Sequence, residues 1–472
     1  MSVPSIRIAA ANTHPVRPER EYVLYWMIAA RRRRSNFGLQ RAVEQARALE
    51  KPLLVFEPLR ADYPWASDRF NDFVISGMAD NARSFARAPV RYYPYVEPRP
   101  GSGKGLLRAL ARRACLVITD EFPCFFLPSM VRAAGKAIDV RLEQVDSNGI
   151  LPLRATDRAF PTAYAFRRHV HATLAENATA FPEHDPLGRV RLPRPARLPR
   201  TVLSRWPPLS RSALAAHRGS GGASAGRRAL RRFLAAGLDR YAAMQRHPDA
   251  AATSGLSPWL HFGHLGAHEV FLAVTEHEGW TPGDLVRRER GRRAGWGLGT
   301  NAAAFIDQLV TWRELGLNTA TWLPQYDHYD SLPDWARATL AAHAGDPRPW
   351  RYTRTQLAAA DTHDEIWNAA QRQLVSEGRL HNYLRMLWGK KILEWSRSPR
   401  EALATMVELN NRYALDGRDP NSYAGIFWVL GRYDRPWGPE RPIYGTIRYM
   451  SSDATRRKLQ LHEYLRRFGA GD

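Results

Sequence analysis

Four stretches of the 472-residue chain hold side chains whose types and spacing could do chemistry. TSGLSPWLHFG (253–263) sets Ser257 as an N-cap with Pro258 at the first helical position. The free N–H groups of such a terminus, with the hydroxyls of Thr253 and Ser254, make a place where a pyrophosphate could sit, although most capped helices bind nothing. AAFIDQLVTWREL (303–315) puts Phe305, Gln308 and Trp312 at i, i+3 and i+7, one face of an α-helix; read blandly, this is a core stripe interrupted by one amide. RLHNYLRMLWGKKILEW (379–395) carries Arg385 with Trp388 and Trp395, two indoles seven apart and so on one side, a spacing that ordinarily means packing. The stretch 409–450, LNNRYALDGRDPNSYAGIFWVLGRYDRPWGPERPIYGTIRYM, crowds amides, acids, arginines and aromatics into a loop-like segment and reads as a functional surface.

Tryptophan points the same way. Twelve of the 15 Trp fall after residue 226, more than core filling explains, because each buried indole N–H needs a partner. Flat aromatic platforms are what a ring-shaped cofactor or a stacked base uses. The charge balance adds a polyanion: 69 Lys+Arg against 46 Asp+Glu leave +23, and only six of the 69 are Lys. Arginine's planar fork suits bidentate phosphate contacts. Codon bias in a GC-rich genome also raises Arg, but leaves the shortage of acids unexplained.

These residues need elements to position them. Between residues 22 and 145, apolar runs at 22–28, 52–58, 90–96, 115–122 and 140–146 alternate with helical patterns, which predicts a parallel, doubly wound α/β domain over 1–150. No G-x-G-x-x-G follows the first run, which disfavours a dinucleotide bound in the Rossmann manner. Residues 151–226 loosen into Pro, Gly, Ser and Arg and read as an interdomain linker. From 227 to 472 helical periodicity dominates, so the second domain is expected to be all-α. Cys115 and Cys124 are too few for a disulfide framework or a four-ligand zinc site, so a reducing cytoplasm and no metal are expected. Without a leader pattern or an apolar run of spanning length, a soluble, unexported protein with no membrane partner is expected. A monomer is expected because no heptad seam is present.

WNAAQ (367–371), LRMLWGKKILEW (384–395), LDGRDPN (415–421) and ERPIYGTIRYM (440–450) resemble signatures of the photolyase and cryptochrome family, and within it of the class II cyclobutane pyrimidine dimer photolyases. The resemblance is densest over 327–449 and extends more thinly through SGLSPWLHFG (254–263) and YWM…RR…NFGL (25–39). It implies an α/β domain joined to a helical FAD domain, and a light-driven enzyme acting on UV-damaged DNA. By residue, it implies FAD phosphates near Thr253, Ser254, Gly255, Leu256 and Ser257, with Tyr241 and Phe305 lining the pocket. Asn410 matches the residue facing flavin N5, and Arg385 with Asp416 the ion pair beside it, positions that stabilise charge on the ring. Trp388, Trp367 and Trp395 match the relay that carries electrons from the surface. Trp312 and Trp428 match the aromatic walls of the lesion site, Met386 its floor and Asn382 a neighbouring position, while Trp437 and Arg448 match the pair inserted into the DNA gap. An antenna chromophore of unknown identity is the one further cofactor the resemblance admits.

This chain departs from the pattern in three places. Gln308 stands where class II enzymes carry a Glu that hydrogen-bonds the dimer, Asn382 stands where they usually carry Gly, and residues 285–299 are unusually rich in Arg. Gln308 raises a second reading, a cryptochrome-like photoreceptor that keeps FAD and the relay without repair. Against it stand Trp312, Met386, Trp428, Trp437 and Arg448, which a pure sensor has no need to keep. Repair of the six-four photoproduct needs active-site histidines where Asn382 and Met386 stand, with His381 adjacent. A basic helical DNA-binding protein without cofactor would be colourless.

Overall fold

The computed structural model describes residues 2–177, 180–217, 219–284 and 295–469; most of the arginine-rich 285–299 stretch lies outside them. The apolar runs form β2 (Tyr22–Trp26), β3 (Leu53–Leu59), β4 (Arg91–Val96), β5 (Ala114–Glu121) and β6 (Leu142–Asp146), in the spatial order β1-β6-β5-β2-β3-β4. Neighbours among β2–β6 are parallel. The sequence reading lacked β1 (Ile8–Ala10), an edge strand antiparallel to β6, because three residues of IAA are too few for a period to register. Every residue of β2 is buried. Val23 and Tyr25 enter one core cluster, Tyr22, Leu24 and Trp26 another, as the two-residue period of a sheet covered on both faces requires. The crossovers run through α1 (Phe37–Ala48), α2 (Asp68–Phe85), α3 (Leu106–Ala111) and α4 (Leu127–Ala137).

The strand order reverses between β2 and β5, the usual place for a ligand in an open α/β sheet. Here the chain uses that edge for itself. Asp120 Oδ2, at the end of β5, accepts hydrogen bonds from the backbone N–H groups of Ile28, Ala29 and Ala30 at 2.8, 2.8 and 2.9 Å, and Oδ1 accepts one from the Tyr25 hydroxyl at 2.6 Å. The three N–H groups that a dinucleotide phosphate would need after the first parallel strand are already committed to a carboxylate.

The chain divides into two compact units that do not follow sequence order. One holds the chain up to Asp157 with Thr173–Arg231 and Gly255–Gly283; the other holds Arg158–Ala172, Arg232–Ser254 and the chain from Asp284 onward. The second unit is helical. Its described elements include Thr300–Ile306, Arg313–Trp322, Glu365–Glu377, Asn382–Trp395, Pro399–Tyr413 and Pro420–Val429. Residues 158–172, inside the stretch that reads as a linker, carry most of helix α5 (Ala163–Asn177) within this second unit.

Two local expectations are corrected. Leu256, buried, takes the cap position, so Ser257 is the first residue of a five-residue helix, Ser257–His261, and its exposed hydroxyl caps nothing. Proline at the second helical position removes an N–H that would be unpaired anyway, so the start can slip by one residue. Nor is 409–450 a continuous loop: Asp419 accepts a hydrogen bond from Asn421 N at 2.9 Å and, with Pro420 next, opens the helix Pro420–Val429. That start was legible; the polar residues around it masked it.

Candidate functional site

Gln308 and Trp312 do not sit on an ordinary α-helix. Residues Asp307–Trp312 form a π-helical turn between the helices Thr300–Ile306 and Arg313–Trp322. The wider turn replaces the 3.6-residue period assumed for Phe305, Gln308 and Trp312, so their spacing no longer places them on one face. Phe305 is buried, whereas Gln308 and Trp312 are half-buried. Trp312 stacks on Trp428, ring centroids 4.5 Å apart and planes 16° from parallel. The two indoles therefore form one double-ring platform, with no room between them for a third ring. Gly316 makes this pairing possible: a Cβ there would lie 2.8 Å from the Pro420 backbone, so the helices Arg313–Trp322 and Pro420–Val429 approach as only glycine allows.

The helix Asn382–Trp395 packs against both Pro399–Tyr413 and Pro420–Val429. Asn382, exposed, and Met386, half-buried, are four apart on one face. Arg385 Nη2 reaches both Asp416 oxygens at 3.1 and 3.2 Å, and its Nη1 points to Asn410 Oδ1 at 3.5 Å. Asn410 is buried and commits its amide N–H groups to Ser422 Oγ at 2.7 Å and Asn411 Oδ1 at 3.2 Å. The result is a half-buried cation balanced by one carboxylate and braced by a buried amide. Tyr241 and Phe305 meet edge to face at 5.4 Å, and Phe233 completes the group at 5.7 and 4.6 Å from them. Thr253 and Ser254 belong to the second unit, Thr253 exposed and Ser254 half-buried; Gly255, half-buried at φ +64°, and buried Leu256 belong with Ser257 to the first.

Trp367, Trp388 and Trp395 are each at most 1% exposed. Trp367 Nε1–H donates to the Trp388 carbonyl at 3.0 Å, and Trp388 Nε1–H donates to Gln371 Oε1 at 2.9 Å. Trp367 and Trp395 meet edge to face at 5.4 Å. Beyond Trp395 the rings continue through Tyr352 at 5.2 Å and His363 at 5.5 Å, and His363 stacks at 4.4 Å on Trp350, half of whose surface is exposed. Trp367 and Trp395 thus connect, ring by ring, to an indole at the surface, and Trp388 joins them through its backbone carbonyl.

Trp437 and Arg448 are both exposed, with the guanidinium 5.2 Å from the indole centroid; Arg435 lies over the same ring at 4.9 Å. No hydrogen bond joins Gln308, Asn382 or Met386 to one another among the described residues. Four contributors were missed from sequence. Gln371 and Ser422 act through hydrogen bonds, Arg167 through an ion pair with Asp307, and Lys390 through a buried bond from Nζ to the Val429 carbonyl at 2.5 Å. Of these only Gln371 carried a signal, four residues after Trp367 on one helix face.

Burial lowers the Lys390 ammonium from its ordinary 10.5 to about 7. The unfolded chain then binds this proton more tightly than the folded one, so the folded state gains stability as pH rises from about 7 toward 10.5. The melting temperature of the wild type is expected to rise against that of Lys390→Met over pH 7 to 9, by up to about 1.4 kcal/mol per pH unit in stability. A constant difference would show the ammonium stays charged in the fold.

No family model matches the chain. A deoxyribodipyrimidine photo-lyase of Methanothermobacter thermautotrophicus is 34% identical over 457 residues, covering 94% of both chains. One from Potorous tridactylus is 31% identical, covering 99% of this chain and 85% of its own, and one from Oryza sativa is 32% identical, covering 94% and 86%. Among solved structures, a class III photolyase from Agrobacterium tumefaciens superposes with a TM-score of 0.64 at 17% identity, covering 95% of this chain and 86% of that one. A Synechocystis cryptochrome superposes with 0.65 at 14% identity, covering 95% and 88%. The structures share the fold, an α/β sheet region with a helical remainder, and the curated relatives share sequence along nearly the whole length: the chain belongs to the photolyase and cryptochrome family.

Proposed function

We propose that this protein is a class II photolyase that splits cyclobutane pyrimidine dimers in UV-damaged DNA, with FAD as its cofactor. The observation that carries this reading is the buried indole group Trp388, Trp367 and Trp395, two of them on the helix that also carries Arg385, the partner of Asp416. The residues present suit a flavin. Tyr241, Phe233 and Phe305 supply apolar rings, and Arg385, half-buried and neutralised by Asp416, sits where negative charge on a ring would be stabilised. Thr253, Ser254 and Asn410 add polar contacts. When bound, reduced FAD would supply light-driven one-electron chemistry with no net redox change, held by Arg385, Asp416 and Asn410 and the rings of Tyr241 and Phe305.

The other residues bind, orient and exclude. In this reading the Trp312–Trp428 platform offers a flat surface to a flipped dimer, Met386 and Asn382 add contacts to the lesion, and Gln308 donates an amide N–H to a pyrimidine carbonyl. Trp437 and Arg448, exposed and paired, fill the gap the dimer leaves. Flipping costs a few kcal/mol, less at a damaged step, which favours lesions over intact DNA. The Arg excess grips phosphates, so binding weakens steeply with salt. The class assignment rests on WNAAQ, LRMLWGKKILEW, LDGRDPN and ERPIYGTIRYM.

One observation favours a sensor instead: Gln308 cannot deliver a proton as a carboxylic acid can. A defined thymine-dimer oligonucleotide decides between the readings. Under blue light, with the flavin fully reduced, dimers are expected to disappear. A yellow protein that leaves them intact is a sensor, and a colourless one refutes the cofactor.

A further inference from the structure

The π-turn that carries Gln308 and Trp312 is an unfavourable local structure. π-helical geometry is rare and seldom extends beyond a single turn. Inside this one, the Thr311 hydroxyl is fully buried and finds no hydrogen-bond partner among the described residues. Something outside the turn must hold it.

The holding contact comes from a distant part of the chain. Arg167, in the α5 portion that belongs to the helical unit, forms a two-pronged ion pair with Asp307: Nε to Oδ1 and Nη2 to Oδ2, both at 2.7 Å. Asp307 is the first residue of the π-turn and the neighbour of Gln308. A bidentate guanidinium–carboxylate contact fixes direction as well as distance. The segment bearing Arg167 is itself anchored. Asn318 accepts a hydrogen bond from Phe160 N and donates to the Arg158 carbonyl, both at 2.9 Å, and Thr162 bridges to Tyr433. Arg167 therefore pulls from a fixed base.

We infer that Arg167 is a positioning residue: its fork on Asp307 holds the turn in π register and so aims Gln308 at the substrate. This rests on the repair reading above. Without the fork, the turn relaxes toward α-helical spacing, and the Gln308 side chain rotates away from its place.

The test measures repair per absorbed photon in chemically reduced protein, with flavin absorbance and melting temperature recorded for every variant. Arg167→Met is expected to lose at least about fivefold in yield with its flavin retained, since a misplacement of about 1 Å costs a reaction up to about a hundredfold. Arg167→Lys, which keeps the charge without the fork, should recover only part of the loss. The gain that Gln308→Glu brings to the wild type should vanish in Arg167→Met. A merely structural role predicts the opposite, a lower melting temperature with the Gln308→Glu gain unchanged. If Arg167→Met does not fold, the same comparison made in Arg167→Lys decides. Wild-type yield in Arg167→Met, or an undiminished Gln308→Glu gain in either variant, overturns the inference. A wild type that repairs nothing overturns the repair reading and this inference with it.

Discussion

Replacing Trp388 by Phe is expected to abolish light-driven reduction of the bound flavin while chemically reduced protein still splits dimers. Electron tunnelling falls off exponentially with distance, so a gap in a chain of oxidisable rings cannot be covered by one longer jump. Trp388 is the member nearest Arg385 along their shared helix, three residues further on, and its carbonyl accepts the Trp367 indole N–H at 3.0 Å. Phenylalanine keeps an apolar ring but is far harder to oxidise. The fold should survive. The change leaves Gln371 Oε1 without its donor and opens a small void, together about 2 kcal/mol, a loss of about 2 degrees in melting temperature for a chain of this size. Absorbance under blue light with an external reductant follows the first effect, and the dimer oligonucleotide with chemically reduced protein follows the second. Undiminished photoreduction would mean the electrons enter by another route, and the indole chain would be core packing.

Gln308→Glu is expected to raise the yield of dimer splitting several-fold at nearly unchanged lesion affinity. Both side chains are the same length and both hydrogen-bond a carbonyl, so binding should move by no more than about 1 kcal/mol. The difference lies in the proton. A half-buried carboxylic acid is favoured in its neutral form, and it donates more strongly than an amide as negative charge builds on the dimer. Yield per absorbed photon and lesion affinity, measured on one oligonucleotide, separate the two effects. A change in affinity above tenfold would place Gln308 elsewhere than against the dimer, and an unchanged yield would remove the proton from the account.

The strands were legible because a parallel sheet buried on both faces needs largely apolar runs, and β2, β3 and most of β5 are such runs. The helical second half was legible through its periodicity. Most candidate site residues were reachable through the motifs around 367–450, where the resemblance is dense. The π-turn was not legible. A single inserted residue shifts the facing of Gln308 and Trp312 without changing residue types or their spacing in the chain. The stacking of Trp312 on Trp428 was equally hidden, since it depends on Gly316 letting two helices approach.

Local interactions decide what a single segment reveals: an apolar run, a Pro beside an Asp, seven residues between indoles. These determined the sheet, the helices and the chemical types available to the site. Tertiary structure decided the rest, because its energies come from pairs far apart in the chain. Arg167 meets Asp307 across 140 residues, and Asn318 anchors Phe160 across 158. Such pairs leave no periodic trace in sequence, and only their closure into one packed unit places Gln308, the indole chain and the Arg385–Asp416 pair.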